Sequence, residues 1–248
     1  MKKYTTDAIN LKTYNFNEND KIVVMYSKEK GIIRAVAKGT QKKSSALSGR
    51  LETFVANKLL LGQGQNLDTI YQAEAVDTFS GIRKDITKIS YAMYVAELVN
   101  MFGIEDDLNS IRVYNLFYEL LMSLSNVKNP NAVIWNVIKF QLRYMEELGY
   151  AVEFDRCVKC GEALNKKTYS FCSSTGGTIC CECRPATVHK DNASMKSAFK
   201  KAMEMDFSET LYLSNREILD NCFNYLNEYI SHRSHKKIKS AEILSCIL

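Results

Sequence analysis

A chain of 248 residues with 46% apolar and 25% charged side chains has the make-up of a globular protein of one large or two to three small domains. It holds no run of about 18 apolar residues, which excludes a membrane span, and its opening MKKYTTDAINLKTYNF lacks the apolar stretch and cleavage site of a secretion signal. The net charge of +5 is too modest to demand a nucleic-acid partner by itself, so the distribution of charge carries more weight than the total.

Residues 5–80 read as short strands. Alternation runs through Ile22-Val23-Val24-Met25-Tyr26 and again through Ile32-Ile33-Arg34-Ala35-Val36-Ala37, with a turn from Ser27 to Gly31 joining them as a hairpin. Further strands are predicted at 8–14, 53–61 and 69–76. Five short antiparallel strands in about eighty residues suit a small barrel of the OB type. Between Glu29 and Glu52 the chain carries six basic residues and no acid: Lys30, Arg34, Lys38, Lys42, Lys43 and Arg50. This run covers the third strand and a long connection from Gly39 to Gly49, where an exposed basic loop can track a phosphate backbone.

From Ile82 the period changes to that of a helix, placing Tyr91, Tyr94, Val95, Leu98 and Phe102 on one face. A second helix carries Ile111, Leu116, Leu120, Leu121 and Leu124. A third opens with Asn129 as N-cap and Pro130 at the first helical position, runs through Val133, Val137, Ile138, Leu142 and Met145, and stops at Gly149. The aromatic residues on these helices read as core rather than as a ligand pocket.

Next come Cys157-x2-Cys160 and Cys180-x2-Cys183, with nineteen residues between the pairs. Each pair can turn two thiolates toward one cation, and the intervening chain can fold back to close a tetrahedral site. Gly161 and Gly176-Gly177 stand where a backbone wrapping a metal needs positive φ. A disulfide framework, a thioredoxin-like redox pair and chance clustering are the competing readings. The first needs an oxidising compartment and the second normally presents a single CxxC. Zinc, held structurally by four thiolates with no open position, is the reading the spacing favours. Cys172 and Cys181 are further thiols, and Cys181 competes with Cys180, but only Cys180 keeps the x2 spacing to Cys183. His189 is a weaker substitute ligand.

Pro185 closes this module. Ser194 is placed to cap a short helix with Met195, Ala198, Phe199 and Met203. Ser214-Asn215-Arg216-Glu217 reads as a capping box opening a helix with Ile218, Cys222, Tyr225, Leu226 and Tyr229. That helix needs a partner, sought among the helices of 82–148. Cys222 and Cys246 read as core thiols. The basic cluster from His232 to Lys239 has a solvated surface as its plain reading. Phosphate-loop, dinucleotide, GxSxG and HExxH motifs are absent, and the three histidines fall late in the chain. The expectation is a binding protein, not an enzyme and without a small-molecule substrate.

The order of these features resembles the bacterial RecO family. The likeness rests on Asp20-Lys21-Ile22-Val23, Lys30-Gly31, Ala37-Lys38-Gly39, the stretch YAMYVAEL at 91–98, Leu148-Gly149-Tyr150 and the two CxxC pairs, and it spans nearly the whole chain. It implies an α+β chain: an N-terminal five-stranded OB-fold barrel (1–80), then a mostly helical domain (81–248) with an embedded four-cysteine zinc module (150–185). It also implies a DNA-binding recombination mediator of the RecF pathway, cytoplasmic and nucleoid-associated. Such a protein binds single- and double-stranded DNA, anneals complementary strands, and helps load RecA with RecR and the C-terminal tail of single-strand-binding protein. The resemblance assigns DNA binding to basic barrel residues, here Arg34, Lys38, Lys42, Lys43 and Arg50. The basic run is poor in aromatic residues, so phosphate contact is expected to dominate over base stacking. The alternative is an RNA-binding or translation-associated OB-fold protein with a structural zinc.

Overall fold

The structure, a computed structural model, describes residues 2–40, 47–164, 169–184, 193–209 and 215–247, with side chains to residue 244 in the last stretch. Lys42, Lys43, Pro185, His189, Ser214 and the side chain of Cys246 therefore lie outside the described residues.

Five strands, β1 (Lys3–Asn15), β2 (Lys21–Ser27), β3 (Gly31–Ala37), β4 (Ala56–Gly62) and β5 (Asp68–Asp77), close into a barrel in the order β1-β2-β3-β5-β4. All pairings are antiparallel except β3 with β5, where Ala35 faces Asp68 and Val36 faces Thr69. β1 is longer than the predicted 8–14 because it serves two neighbours: its first half pairs with β4 and its second with β2. Alternation sends Val23, Met25, Ile33, Ala35, Ala37, Leu59, Leu61, Ile70 and Ala73 inward to one apolar core. Each large member contributes roughly 1.5–3 kcal/mol on burial. Leu51, from a 3-10 turn at Gly49–Leu51, joins this core. The turn is held by the buried amides of Asn10 and Asn57, both donating to the Arg50 carbonyl at 2.9 and 2.8 Å.

The helices that follow are α1 (Ile86–Phe102) and α2 (Ser110–Asn126). Helix α1 begins four residues later than the change of period, after a 3-10 turn at Ile82–Lys84, because the Asp85 carboxylate caps it by accepting from the N–H groups of Thr87 and Lys88. The expected α1 face is buried at Tyr91, Tyr94, Val95 and Leu98. On α2, Ile111 is an exception to the expected face and stands exposed. The buried side runs through Val113, Leu116, Phe117, Leu120, Leu121 and Leu124.

Two compact units emerge, Met1–Asn126 with Ile243–Leu248, and Val127–Glu242, so α1 and α2 belong with the barrel. The second unit contains α3 (Pro130–Glu147), the hairpin of β6 (Tyr169–Cys172) and β7 (Gly177–Cys180), α4 (Ala193–Glu204), α5 (Arg216–Ser234) and the start of α6 (Lys239–Ile247). Asn129 caps α3 with Pro130 at its first position, and Gly149 follows it at φ +79°. For α5 the cap is Asn215, whose side chain accepts from the Glu217 N–H, while Ser214, the first residue of the expected box, lies outside the described residues. The partner of α5 is α3, together with α4. In the basic cluster of 232–239, His232, His235, Lys236, Lys237 and Lys239 are exposed as expected, while the half-buried Arg233 guanidinium stacks over Tyr229 and Tyr150 at 5.0 and 5.9 Å. Among the described residues no helix is long and apolar enough to cross a membrane.

Candidate metal centre and nucleic-acid face

The thiols of Cys157, Cys160, Cys180 and Cys183 converge, every sulfur lying within 4.8 Å of the others. The first pair sits on a tight turn closed by Gly161 N–H donating to the Cys157 carbonyl at 2.8 Å, with Gly161 at φ +75°. The second pair leaves the end of β7. Two bonds lock the pairs together: Val158 N–H donates to the Thr178 carbonyl at 2.9 Å, and Cys180 N–H donates to the Cys157 sulfur at 3.4 Å. The β6–β7 hairpin turns at Gly176, whose φ of +83° leaves no ready substitute for glycine, and a Cβ there would strike Arg233 and Tyr229.

This donor set suits a soft divalent cation. Metal–sulfur bonds of ~2.3 Å at tetrahedral angles place sulfurs about 3.8 Å apart, and the Cys160 and Cys180 sulfurs stand at 3.8 Å. Without a cation the four sulfurs cannot all ionise, because like charges this close repel. Burial raises the Cys157 thiol, but N–H donors from Cys160, Cys180 and Lys159 more than offset it and bring it down to about 6. Hydrogen bonds with the neighbouring Cys180 and Cys160 thiols push Cys183 up to about 12. A bound cation would remove that conflict, since it favours the ionised form of all four.

Cys172 and Cys181 stay outside the quartet. Cys172 is buried with its sulfur 3.3 Å from the Ser174 hydroxyl, while Cys181 is exposed. Beneath the quartet, Leu164 and Ile179 pack with Cys157 and Cys180. Phe171 of β6 meets Phe199 of α4 at 5.4 Å and Tyr225 of α5 at 5.1 Å between ring centroids. The module is thus an integral layer of the helical unit. Sequence reading missed its hairpin, although the short alternation on either side of Gly176-Gly177 was the available signal.

On the barrel, Arg34, Lys38 and Arg50 are exposed, and Lys42 and Lys43 fall outside the described residues. Arg34 pairs with Glu105 at 2.9 Å and lines a polar cleft with Lys30, Asp68 and Asp106. Arg50 donates to the Ala73 carbonyl at 2.7 Å, which fixes the side chain along β5. Lys38 stands just past β3, beside the β1–β2 turn, where the Gly39 N–H donates to the Asp20 carboxylate at 2.9 Å. The three described cations, Arg34, Lys38 and Arg50, thus stand apart on the barrel rather than in one pocket. A second set escaped the sequence reading: Lys12 lies 4.7 Å above the exposed Tyr14 ring, and Lys3 lies 4.8 Å above Tyr71. The outward alternation of β1 was the signal that could have found the first.

Two family models match the chain, "Recombination protein O N terminal" over residues 1–79 and "Recombination protein O C terminal" over residues 83–242. Among curated proteins the chain is similar to the DNA repair protein RecO of Pelotomaculum thermopropionicum, 32% identical over 98% of this chain and 94% of that protein. It is likewise similar to the DNA repair protein RecO of Clostridium novyi, 27% identical over 98% and 93% of the two chains. That of Desulforamulus reducens is 28% identical over 98% and 94%.

Proposed function

The chain belongs to the RecO family of DNA repair and recombination proteins, and from that premise we propose that it acts as a recombination mediator without bond-breaking chemistry. It binds single- and double-stranded DNA, anneals complementary strands, and helps load the RecA recombinase onto gapped DNA coated with single-strand-binding protein. RecR meets the barrel, and the C-terminal tail of single-strand-binding protein meets the helical region. Its setting is the bacterial cytoplasm and nucleoid. The observation that carries this reading is the match of both family models along the chain, whose first unit contains a closed five-stranded barrel of the OB type.

Phosphate contact supplies the binding. Arg34, Lys38, Lys42, Lys43 and Arg50 displace condensed counterions, which gives an affinity that is independent of sequence and falls with salt. Lowering the charge on two strands at once reduces their mutual repulsion, as annealing requires. The metal of the cysteine quartet is zinc, which when bound supplies charge and geometry for folding rather than reactivity.

The test is annealing of complementary oligonucleotides coated with single-strand-binding protein, alongside competition between matched DNA and RNA strands. Faster annealing and a preference for DNA are expected. Tighter binding to the RNA strand, with no annealing, would replace this reading with an RNA-binding one.

A further inference from the structure

The register of the barrel assembles a surface that the basic run alone does not reveal. Lys12 of β1, Val24 of β2 and Arg34 of β3 lie in one row across the three strands, and Tyr14, Ile22 and Val36 lie in the next. Phe16 N–H donates to the Asp20 carbonyl at 2.9 Å, which extends the ladder by one more row. That row ends at Lys38, whose neighbour Gly39 donates to the Asp20 side chain. These positions have the parity opposite to Val23, Met25, Ile33, Ala35 and Ala37, which fill the barrel core, so they share its outer face.

The composition of that face points to a ligand. Tyr14 and Phe16 are 42% and 47% exposed, an unusual investment of two large rings at neighbouring positions of one face. The half-buried apolar side chains of Ile22 and Val36 occupy the row between the cations. Lys12, Arg34 and Lys38 flank them, all exposed. Of the acids at this end, Asp20 is engaged by the Gly39 N–H and Glu105 by Arg34, while Glu18 of the β1–β2 turn is exposed. Exposed rings between flanking cations are the arrangement that seats successive bases while holding their phosphates. The outer face of strands 2 and 3, with the adjoining loop between strands 1 and 2, is also where OB barrels take oligonucleotides.

The other end of that face is closed, with Val24, Tyr26 and Ile32 buried. We infer that the end nearest the β1–β2 turn is a stacking platform for single-stranded DNA, with Tyr14 and Phe16 seating bases and Lys12, Arg34 and Lys38 holding the backbone. This rests on the DNA-binding reading above and gives it a mode: bases face the barrel, and annealing requires their release to a complementary strand. Duplex DNA, whose bases are already stacked, cannot use the rings.

The test uses the full-length protein with its metal, and two strands of equal length, oligothymidylate and a fully abasic strand. The double variant Tyr14→Ala, Phe16→Ala is expected to bind oligothymidylate about tenfold or more weakly. Its affinity for the abasic strand and for duplex should be unchanged. In a second variant, Tyr14→Trp, indole emission is expected to be quenched by oligothymidylate and not by the abasic strand, read against the constant signal of the buried Trp135. Equal affinity of wild type and double variant for both strands would overturn the platform, as would an equal loss on both strands or an unquenched indole. Failure of the wild type to bind either strand overturns instead the DNA-binding reading on which the platform rests, and the platform with it.

Discussion

Lys139 has no exposed surface, yet its ammonium is not idle: it donates to the carbonyls of Asp206 and Glu209 at 2.6 and 2.8 Å. One turn along α3, Arg143 donates to the Met205 carbonyl and stacks on Phe207. Both cations thus meet the carbonyl-rich chain that leaves α4, where positive charge is favoured. Burial, followed by repulsion from Arg143, lowers the Lys139 pKa from 10.5 to about 8. Between those values the unfolded chain holds a proton that the folded chain has released, so this residue makes stability rise with pH across that window. Below about 8 both states are protonated and its effect is constant. Lys139→Met is expected to lose about 1–3 kcal/mol by leaving two carbonyls without a donor. Urea unfolding at pH 7.5 and pH 10 checks this. The gap between wild type and variant should widen at the higher pH, and a gap that stays constant would remove Lys139 as the titrating group. A second residue-scale prediction concerns Lys42 and Lys43. Replacing both by Ala is expected to weaken single-strand binding and flatten its salt dependence by up to ~2 in slope. A polarisation titration that shows the same affinity and slope would exclude this pair from the site.

At the scale of elements, caps and turns decide where each segment starts. Asp85 was invisible as a cap because the helical period begins at Ile82, and a 3-10 turn shares that periodicity for one turn. Asp85→Ala is expected to destabilise the first unit by about 1 kcal/mol, visible as a lower urea midpoint with unchanged slope. The Asn129-Pro130 start of α3 was legible, since two independent local preferences coincide there. The start of α5 was not, because Ser214 and Asn215 are both good caps and only the backbone conformation selects Asn215. The metal hairpin is an element of a different kind, too short to hold together on its own bonds: β6 and β7 have four residues each. Chelation of the metal, or Cys157→Ser, is expected to release the hairpin. Thiol labelling reads this out: with metal bound the exposed Cys181 reacts and the quartet is protected, and after chelation the quartet reacts as well. Quartet thiols that label equally before and after chelation would sink the metal assignment.

For the molecule as a whole, the two compact units differ in what holds them. The barrel unit closes its strand edges by hydrogen bonding, whereas the unit of 127–242 builds part of its core, Phe171 against Phe199 and Tyr225, on a hairpin where four cysteines converge. Hydrogen exchange after metal removal is therefore expected to lose protection in β6, β7 and the facing turns of α4 and α5, while β1 to β5 keep theirs. Equal loss in the barrel strands would show that the metal supports the whole chain.

The five barrel strands, helices α1 to α5 and the cysteines that converge could be read from the sequence alone, because each is written in a short period or a fixed spacing: two residues, 3.6 residues, or CxxC. The outer platform could not. Lys12, Tyr14, Phe16, Arg34 and Lys38 share no local motif, and only strand register brings them into adjoining rows. Register is set by which alternate side chains enter the core, and that is a property of the closed barrel, not of any single strand.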